Sequence, residues 1–244
     1  MRDVDKVWQV PLGYGYFVTN MSFKIVISGV TGRIGAHVLH HALRNPLVST
    51  VIALSRRPPP GIETHAKLEV VLLEDFTKYP DDVLAKLSGA DGCIWCMTTT
   101  AGNPVLELEY PKAFAEAFAS TMPVGAKPFR YLHLSGGMVE RDQDRSLWMK
   151  GSMRKTKGRG EVQMVDFAKT HENWITIVAR PGMVVQRGSI IGEASMMVAG
   201  SSGSFIRYDE LALALINAVM HGSEELLLPA ALVQQGQQLV QGGR

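Results

Sequence analysis

A short run of aliphatic and β-branched residues, Phe23-Lys24-Ile25-Val26-Ile27-Ser28, leads straight into Gly29-Val30-Thr31-Gly32-Arg33-Ile34-Gly35. This junction restricts the fold more than any other feature of the chain. The run reads as a buried strand of a parallel sheet. Beyond the turn, Ile34, Val38, Leu39 and Ala42 fall at helical spacing, and Asn45-Pro46 ends that helix. The turn has the form G-x-T-G-x-x-G. A glycine pattern alone is weak, but between a strand and a helix it acquires a mechanism. The glycines allow a tight turn and let backbone approach a pyrophosphate. The helix N-terminus then offers free N–H groups and a partial positive charge to phosphate. Gly29, Thr31, Gly32, Arg33, Ile34 and Gly35 are therefore candidate dinucleotide-binding residues.

Downstream, strands are expected at 50–54, 68–73, 92–97, 129–134 and 174–179. Helices are expected at 31–44, 81–87, 112–120, 161–169 and 209–221. Alternating strands and helices imply a parallel sheet covered on both faces, a Rossmann-type doubly wound α/β fold. The 244 residues suit one such domain over 22–244, with a small C-terminal lid region. Residues 1–21 lack strand or helix periodicity and read as an N-terminal arm carrying Trp8 and Tyr14. The Gly-, Ser- and Met-rich stretch 186–204 is expected to form the substrate-side lid. The Gln- and Gly-rich tail after Leu232 reads as a frayed end.

A net charge of +2 gives no reason to expect a nucleic-acid or anionic-membrane partner. No run of 18 apolar residues is present, and the N-terminus lacks the apolar core of a signal peptide. A cytoplasmic location is expected. Cys93 and Cys96 have CxxC spacing, but they lie on an expected strand, where residues three apart face opposite ways. Core thiols in a reducing compartment are the expectation. His37 and His41 are four apart on the first helix, yet no carboxylate or third ligand is evident, so exposed helix residues are expected and no metal. No nucleophile elbow is present.

The second strand ends in Leu54-Ser55-Arg56-Arg57. An NAD-specific site places an acidic residue there for the ribose hydroxyls. Two arginines instead match a 2′-phosphate in charge and geometry, which favours NADP(H). Asp75-Phe76, after the third strand, is placed for the adenine ring. Met97-Thr98, after the fourth, is placed for the middle of the cofactor.

Together with Tyr131-Leu132-His133-Leu134-Ser135 and Arg180-Pro181-Gly182, these residues resemble the atypical short-chain dehydrogenase/reductases. The nearest branch is the NAD(P)H-binding one with NmrA-like and Tat-interacting-protein-like members. The resemblance covers about 23–222. It implies a cofactor contact at Pro181, a catalytic serine at Ser135 and a Tyr-x-x-x-Lys on the following helix, where the tyrosine handles the proton. The chain departs from that pattern, with no tyrosine between Asp142 and Lys169. If Arg159 replaces the lysine, the tyrosine place holds Lys155; if Lys157 does, it holds Met153. Ser135, Lys155, Lys157 and Arg159 are thus the candidate catalytic residues. Met138, Trp148, Met183 and Met197 are candidate substrate-pocket residues, because methionine and aromatic side chains fit irregular apolar ligands.

Three readings follow. The first is an NADP(H)-dependent oxidoreductase acting on a small organic carbonyl, enone or alcohol. The second is a non-redox isomerase, dehydratase or cyclase on the same scaffold. The third is a catalytically inert dinucleotide sensor. The expected partner is a small-molecule substrate, and a homodimer is allowed.

Overall fold

The computed structural model describes residues 22–59, 61, 64–123, 125–188 and 205–242. Strand β1 (Phe23–Ser28) lies at the centre of a sheet, flanked by β2 (Val48–Ser55) and β4 (Gly92–Trp95). β3 (Leu68–Leu72) pairs with β2 on one side. On the other side β5 (Phe129–Leu134), β6 (Trp174–Ala179) and β9 (Leu226–Leu227) follow β4. The order is β3-β2-β1-β4-β5-β6-β9, and every pairing is parallel. The chain leaves β1 toward one edge and returns to build the other. The C-terminal ends of β1 and β4 therefore flank a switch point, where α/β sheets of this kind open a crevice. A separate two-stranded ladder joins β7 (Met183–Val185) to β8 (Phe205–Arg207). The expected Rossmann-type α/β fold is present.

Helices cover both faces. α1 (Arg33–Arg44) and α5 (Tyr208–His221) pack on Ile25, Ile27, Ala53 and Ile94, while α2 (Asp81–Leu87), α3 (Tyr110–Ala119) and α4 (Gly151–Lys169) cover Val26, Ile52, Trp95 and Tyr131. The period-2 alternation of each strand divides these two cores. It also divides the cysteines: Cys96 lies in the first core and Cys93 in the second. Both thiols are free and buried, and burial pushes Cys96 up to about 12. They are core residues, as expected.

Two expectations need correction, the start of α4 and the tail, and the structure adds short elements besides. α4 begins ten residues earlier than the expected 161. Its Gly158 and Gly160 are sites of close packing. A Cβ at Gly158 would stand 1.8 Å from the Glu140 carbonyl oxygen, and one at Gly160 2.4 Å from that of Glu107. The helix expected at 112–120 is preceded by a π-helical turn, Val105–Glu109. The tail is not frayed. α6 (Pro229–Gly242) packs against α5, with Leu232 and Gly236 buried. Its glutamines obscure the pattern, since only one narrow stripe faces the domain. Finally, β7, β8 and β9 are too short to leave a periodic signal. The arm 1–21 and most of the expected lid, 189–204, lie outside the described residues.

Candidate functional site

The cleft opens at the switch point, with a volume of about 560 Å³. Its wall is built from Gly29, Thr31 and Gly32 after β1, Leu54, Ser55, Arg56 and Arg57 at the end of β2, and Phe76 after β3. Cys96, Met97, Thr98 and Thr99 after β4 and Leu106 in the π turn complete it. Gly29 has φ +69°, and a Cβ there would meet the Cys96 carbonyl at 2.8 Å. At Gly35 a Cβ would lie 2.2 Å from the Gly29 oxygen. Only glycine lets α1 start this close to the strand end. Gly32 caps α1 without a side-chain hydrogen bond, and no acidic residue sits in the first turn. The helix-end amides are thus not taken by a side-chain cap, which suits an anion.

At the end of β2, Arg56 and Arg57 are exposed, and no carboxylate pairs with either among the described residues. Phe76 is fully buried and meets the Tyr110 ring, with centroids 5.5 Å apart. Asp75 turns outward and accepts hydrogen bonds from the Thr77 amide at 2.9 Å and its hydroxyl at 2.6 Å. These two bonds hold its carboxyl below the usual range.

The other half of the cleft is closed on itself. Lys157 is buried on α4; its Nζ donates to Thr98 Oγ1 and lies 3.3 Å from Glu107 Oε1. Glu107 also accepts from Thr98 Oγ1 at 2.9 and 3.0 Å and from the Thr99 amide at 2.8 Å. One turn along α4, the fully buried Glu161 collects four donors. Arg180 gives two, Nε at 2.8 Å and Nη2 at 2.5 Å; Ser135 Oγ donates at 2.6 Å and Arg141 Nε at 2.8 Å. Burial alone would raise Glu161, but the bonds from Arg180, Ser135 and Arg141 more than reverse this and hold it low. Between the two clusters stands His133, which burial drives down to about 4 despite the opposing charges of Glu107 and Glu161.

The structure therefore brings together Gly29, Thr31, Gly32, Arg56, Arg57, Phe76, Met97 and Thr98. Arg33, Ile34, Gly35, Asp75 and Pro181 support this wall or stand outside it. Pro181 is buried, and its carbonyl lies against Gly137. The catalytic candidates are not assembled. The Ser135 proton is directed at Glu161. Lys155 faces the other way on α4 and donates to the Gln143 carbonyl at 2.6 Å. Arg159 is exposed and reaches only Thr156, at 3.4 Å. Lys157 alone points inward toward the cleft wall. Met138, Trp148 and Met183 are exposed and do not line the cleft, and Met197 lies outside the described residues.

Sequence reasoning missed Glu107 and Glu161. Neither stood out in the sequence, and only tertiary packing reveals their burial. It also missed the partner of the histidine pair. Asp209 accepts from His37 Nδ1 at 2.9 Å and His41 Nε2 at 3.1 Å, so these histidines clamp α1 to α5 and are not simply exposed. No group of metal-ligating residues is present among the described residues, and no described helix is long and apolar enough to cross a membrane.

No family model matches the chain. It is 40% identical over 106 residues to the leucinostatins biosynthesis cluster protein T of Purpureocillium lilacinum, a stretch covering 39% of this chain and 38% of that protein. It is 26% identical over 173 residues to the mitochondrial protein fmp52 of Emericella nidulans, covering 66% of each. The chain thus matches just over a third of the first relative's length and just under two thirds of the second's. Among solved structures it resembles the PhqB reductase domain of Penicillium fellutanum (TM-score 0.60, 17% identity, 84% of this chain and 66% of that one). It also resembles Gre2 of Candida albicans in complex with NADPH (TM-score 0.60, 15% identity, 84% and 77%). A third is the Bordetella bronchiseptica enzyme WbmF in complex with NADH (TM-score 0.58, 15% identity, 92% and 79%). At these identities the shared property is the Rossmann-type fold.

Proposed function

We propose that the chain is an oxidoreductase of the short-chain dehydrogenase/reductase type that binds a nicotinamide dinucleotide in this cleft. It prefers NADP(H) and acts on a small organic carbonyl, enone or alcohol. The observation that carries the reading is the glycine cradle at the switch point facing two guanidiniums at the end of β2 that no carboxylate pairs among the described residues. Gly29, Thr31, Gly32 and the α1 amides would hold the pyrophosphate, Arg56 and Arg57 the 2′-phosphate, and Phe76 would border the adenine. Met97 and Thr98 would flank the middle of the cofactor. The bound group would supply or take the hydride. The chain's own residues would orient the substrate and exclude water. The complexes of Gre2 with NADPH and of WbmF with NADH are consistent with such use of the fold.

Calorimetric titration with NADP(H) and NAD(H), repeated on Arg56→Ala, tests this. Tight NADP(H) binding that weakens in the variant supports the reading. Equal affinity for both nucleotides removes the NADP(H) preference, and no binding of either removes the function.

One observation favours a second reading, a dinucleotide-binding protein without turnover. No tyrosine lines the cleft among the described residues. Tyr131 is buried in the sheet, and Tyr208 stacks on His37 across the molecule. NADPH binding without oxidation in the presence of a broad carbonyl and enone panel supports that reading; oxidation with any member excludes it.

A further inference from the structure

Glu107 and Lys157 form an ion pair almost wholly out of water, with side-chain exposures of 1% and 8%. Burying two charges costs several kcal/mol per ion unless geometry and added hydrogen bonds compensate. Here they do. The Glu107 carboxylate takes the Thr98 hydroxyl, the Thr99 amide and the Lys157 ammonium, and Lys157 donates to Thr98 as well. The pair could have been placed anywhere in the core, but it sits against the cleft wall, which includes Thr98, Thr99 and Leu106.

Two further observations make this placement specific. Glu107 belongs to the π-helical turn Val105–Glu109, and such turns concentrate at functional sites because they re-aim a side chain. The position one turn before Lys157 is Met153, and Gly102 is pressed onto it. A Cβ on Gly102 would lie 2.7 Å from the Met153 Cα. The 99–103 loop therefore covers that turn of α4, and the preceding turn of the helix offers Lys157 no phenol. The charged and titratable groups around the Glu107–Lys157 pair are His133 and Tyr131 from β5, which hydrogen-bond each other, and Glu161 on α4 itself. Glu161 is occupied by Arg180 and Arg141. Glu107 is the one carboxylate in ion-pair reach of Lys157 among the described residues.

We propose that Glu107 is the positioning residue of this cleft. Its carboxylate fixes the Lys157 ammonium and the Thr98 hydroxyl as one cluster behind the wall beside the cofactor's middle, an anchoring done by charge pairing. The Thr98 hydroxyl can rotate between Glu107 and the oxygen of a bound ligand, while Lys157 supplies a fixed positive charge. The ligand-facing part rests on the dinucleotide reading above; the Glu107–Lys157 coupling does not.

The test compares wild type with Glu107→Gln, which keeps the shape and an acceptor oxygen but removes the charge. Lys157 is labelled with an amine-reactive reagent at pH 7 and pH 9 and read by peptide mass spectrometry, with Lys155 on the outer side of α4 as internal control. NADPH and NADH titrations run in parallel. A buried ammonium stripped of its counter-charge shifts toward the neutral, nucleophilic amine. Labelling of Lys157 in the variant is therefore expected to rise several-fold, more at pH 7 than at pH 9, and NADPH affinity to fall about ten-fold. Loosening of α4 would instead raise labelling of Lys155 as well, and by the same factor at both pH values. Unchanged Lys157 labelling, or a rise equal at both pH values, overturns the proposal. Wild type that binds neither NADPH nor NADH removes the dinucleotide reading, while the labelling comparison still decides the role of Glu107. If Glu107→Gln does not fold, Glu107→Asp carries the test, since its shortened carboxylate withdraws from Nζ. Labelling above wild type supports the proposal, and labelling equal to wild type overturns it.

Discussion

On the β1–β2 side of the cleft, Arg56, Arg57 and the first amides of α1 present positive charge to solvent with no carboxylate partner among the described residues. On the β4–β5 side, Lys157, Glu107, Glu161, Arg180 and Arg141 are paired with one another, and Lys157 and the two carboxylates are buried. The first half is preorganised for an anion that comes from outside, because nothing in the protein must be displaced to admit it. The second half has satisfied its charges internally, so its electrostatics are part of the fold. Substitutions in the open half should therefore lower affinity and leave stability alone, whereas those in the closed half should lower stability first and affinity only through the cluster.

The largest effect is expected at Glu161. Replacing it with alanine leaves Arg180, Arg141 and Ser135 without their shared acceptor, and breaking a buried pair costs about 3–5 kcal/mol. Chemical denaturation measures it. Arg56→Ala should leave the same transition within about 0.5 kcal/mol, as exposed substitutions do. Equal losses at the two sites would break the comparison.

The closed half should also make the protein acid-sensitive in two steps. His133 is held at about 4, below its unfolded value near 6.5. Its contribution is complete above about pH 6.5 and is lost as pH falls toward 4, up to about 3 kcal/mol. Glu161 is likewise depressed, so its contribution holds above the ordinary glutamate range and is lost only at lower pH, as pH falls through the folded value. Unfolding free energies measured from pH 7 to pH 3.5 should decline already below 6.5, and His133→Gln should flatten that first step. A curve level down to pH 4.5 would contradict the placement of His133.

In the open half the expected loss is one of binding. Charge-assisted hydrogen bonds are worth about 1.5–3 kcal/mol, so Arg56→Ala should weaken NADP(H) about 10- to 100-fold and leave NAD(H) nearly unchanged. Loss of affinity for both nucleotides alike would mean that Arg56 holds the pyrophosphate rather than the 2′-phosphate. The smallest effect belongs outside the cleft. Asp209→Asn removes the charge between His37 and His41 at a part-exposed site, where such pairs are worth about 0.5–1 kcal/mol. Thermal unfolding should shift slightly, with no change in binding.

The open half was legible in the sequence because its chemistry is local. A strand, a glycine turn and a helix start occupy thirteen consecutive residues, and the arginines follow at the next strand end. The closed half was not. Glu107 becomes buried through a helical register that no hydropathy period encodes, and Glu161 through strands whose partners lie far along the chain. The use of Gly158 and Gly160 in α4 is hidden for the same reason: they admit the backbone of Glu140 and Glu107, contacts that exist only after packing. The catalytic pattern implied by the resemblance finds no tyrosine at either place it allows, Lys155 or Met153, and the backbone at Gly102 packs directly on Met153.

The π turn makes the closed half separable from the rest of the molecule by arithmetic on residue number alone. A turn of five can be returned to the ordinary repeat by deleting one residue within 105–109, which would rotate what precedes it by about 100°. Glu107 would swing off the cluster with no change in the types of side chain present. Whether Lys157 keeps its station is thus written in the length of a five-residue segment, a quantity that insertions and deletions can tune without touching the sheet.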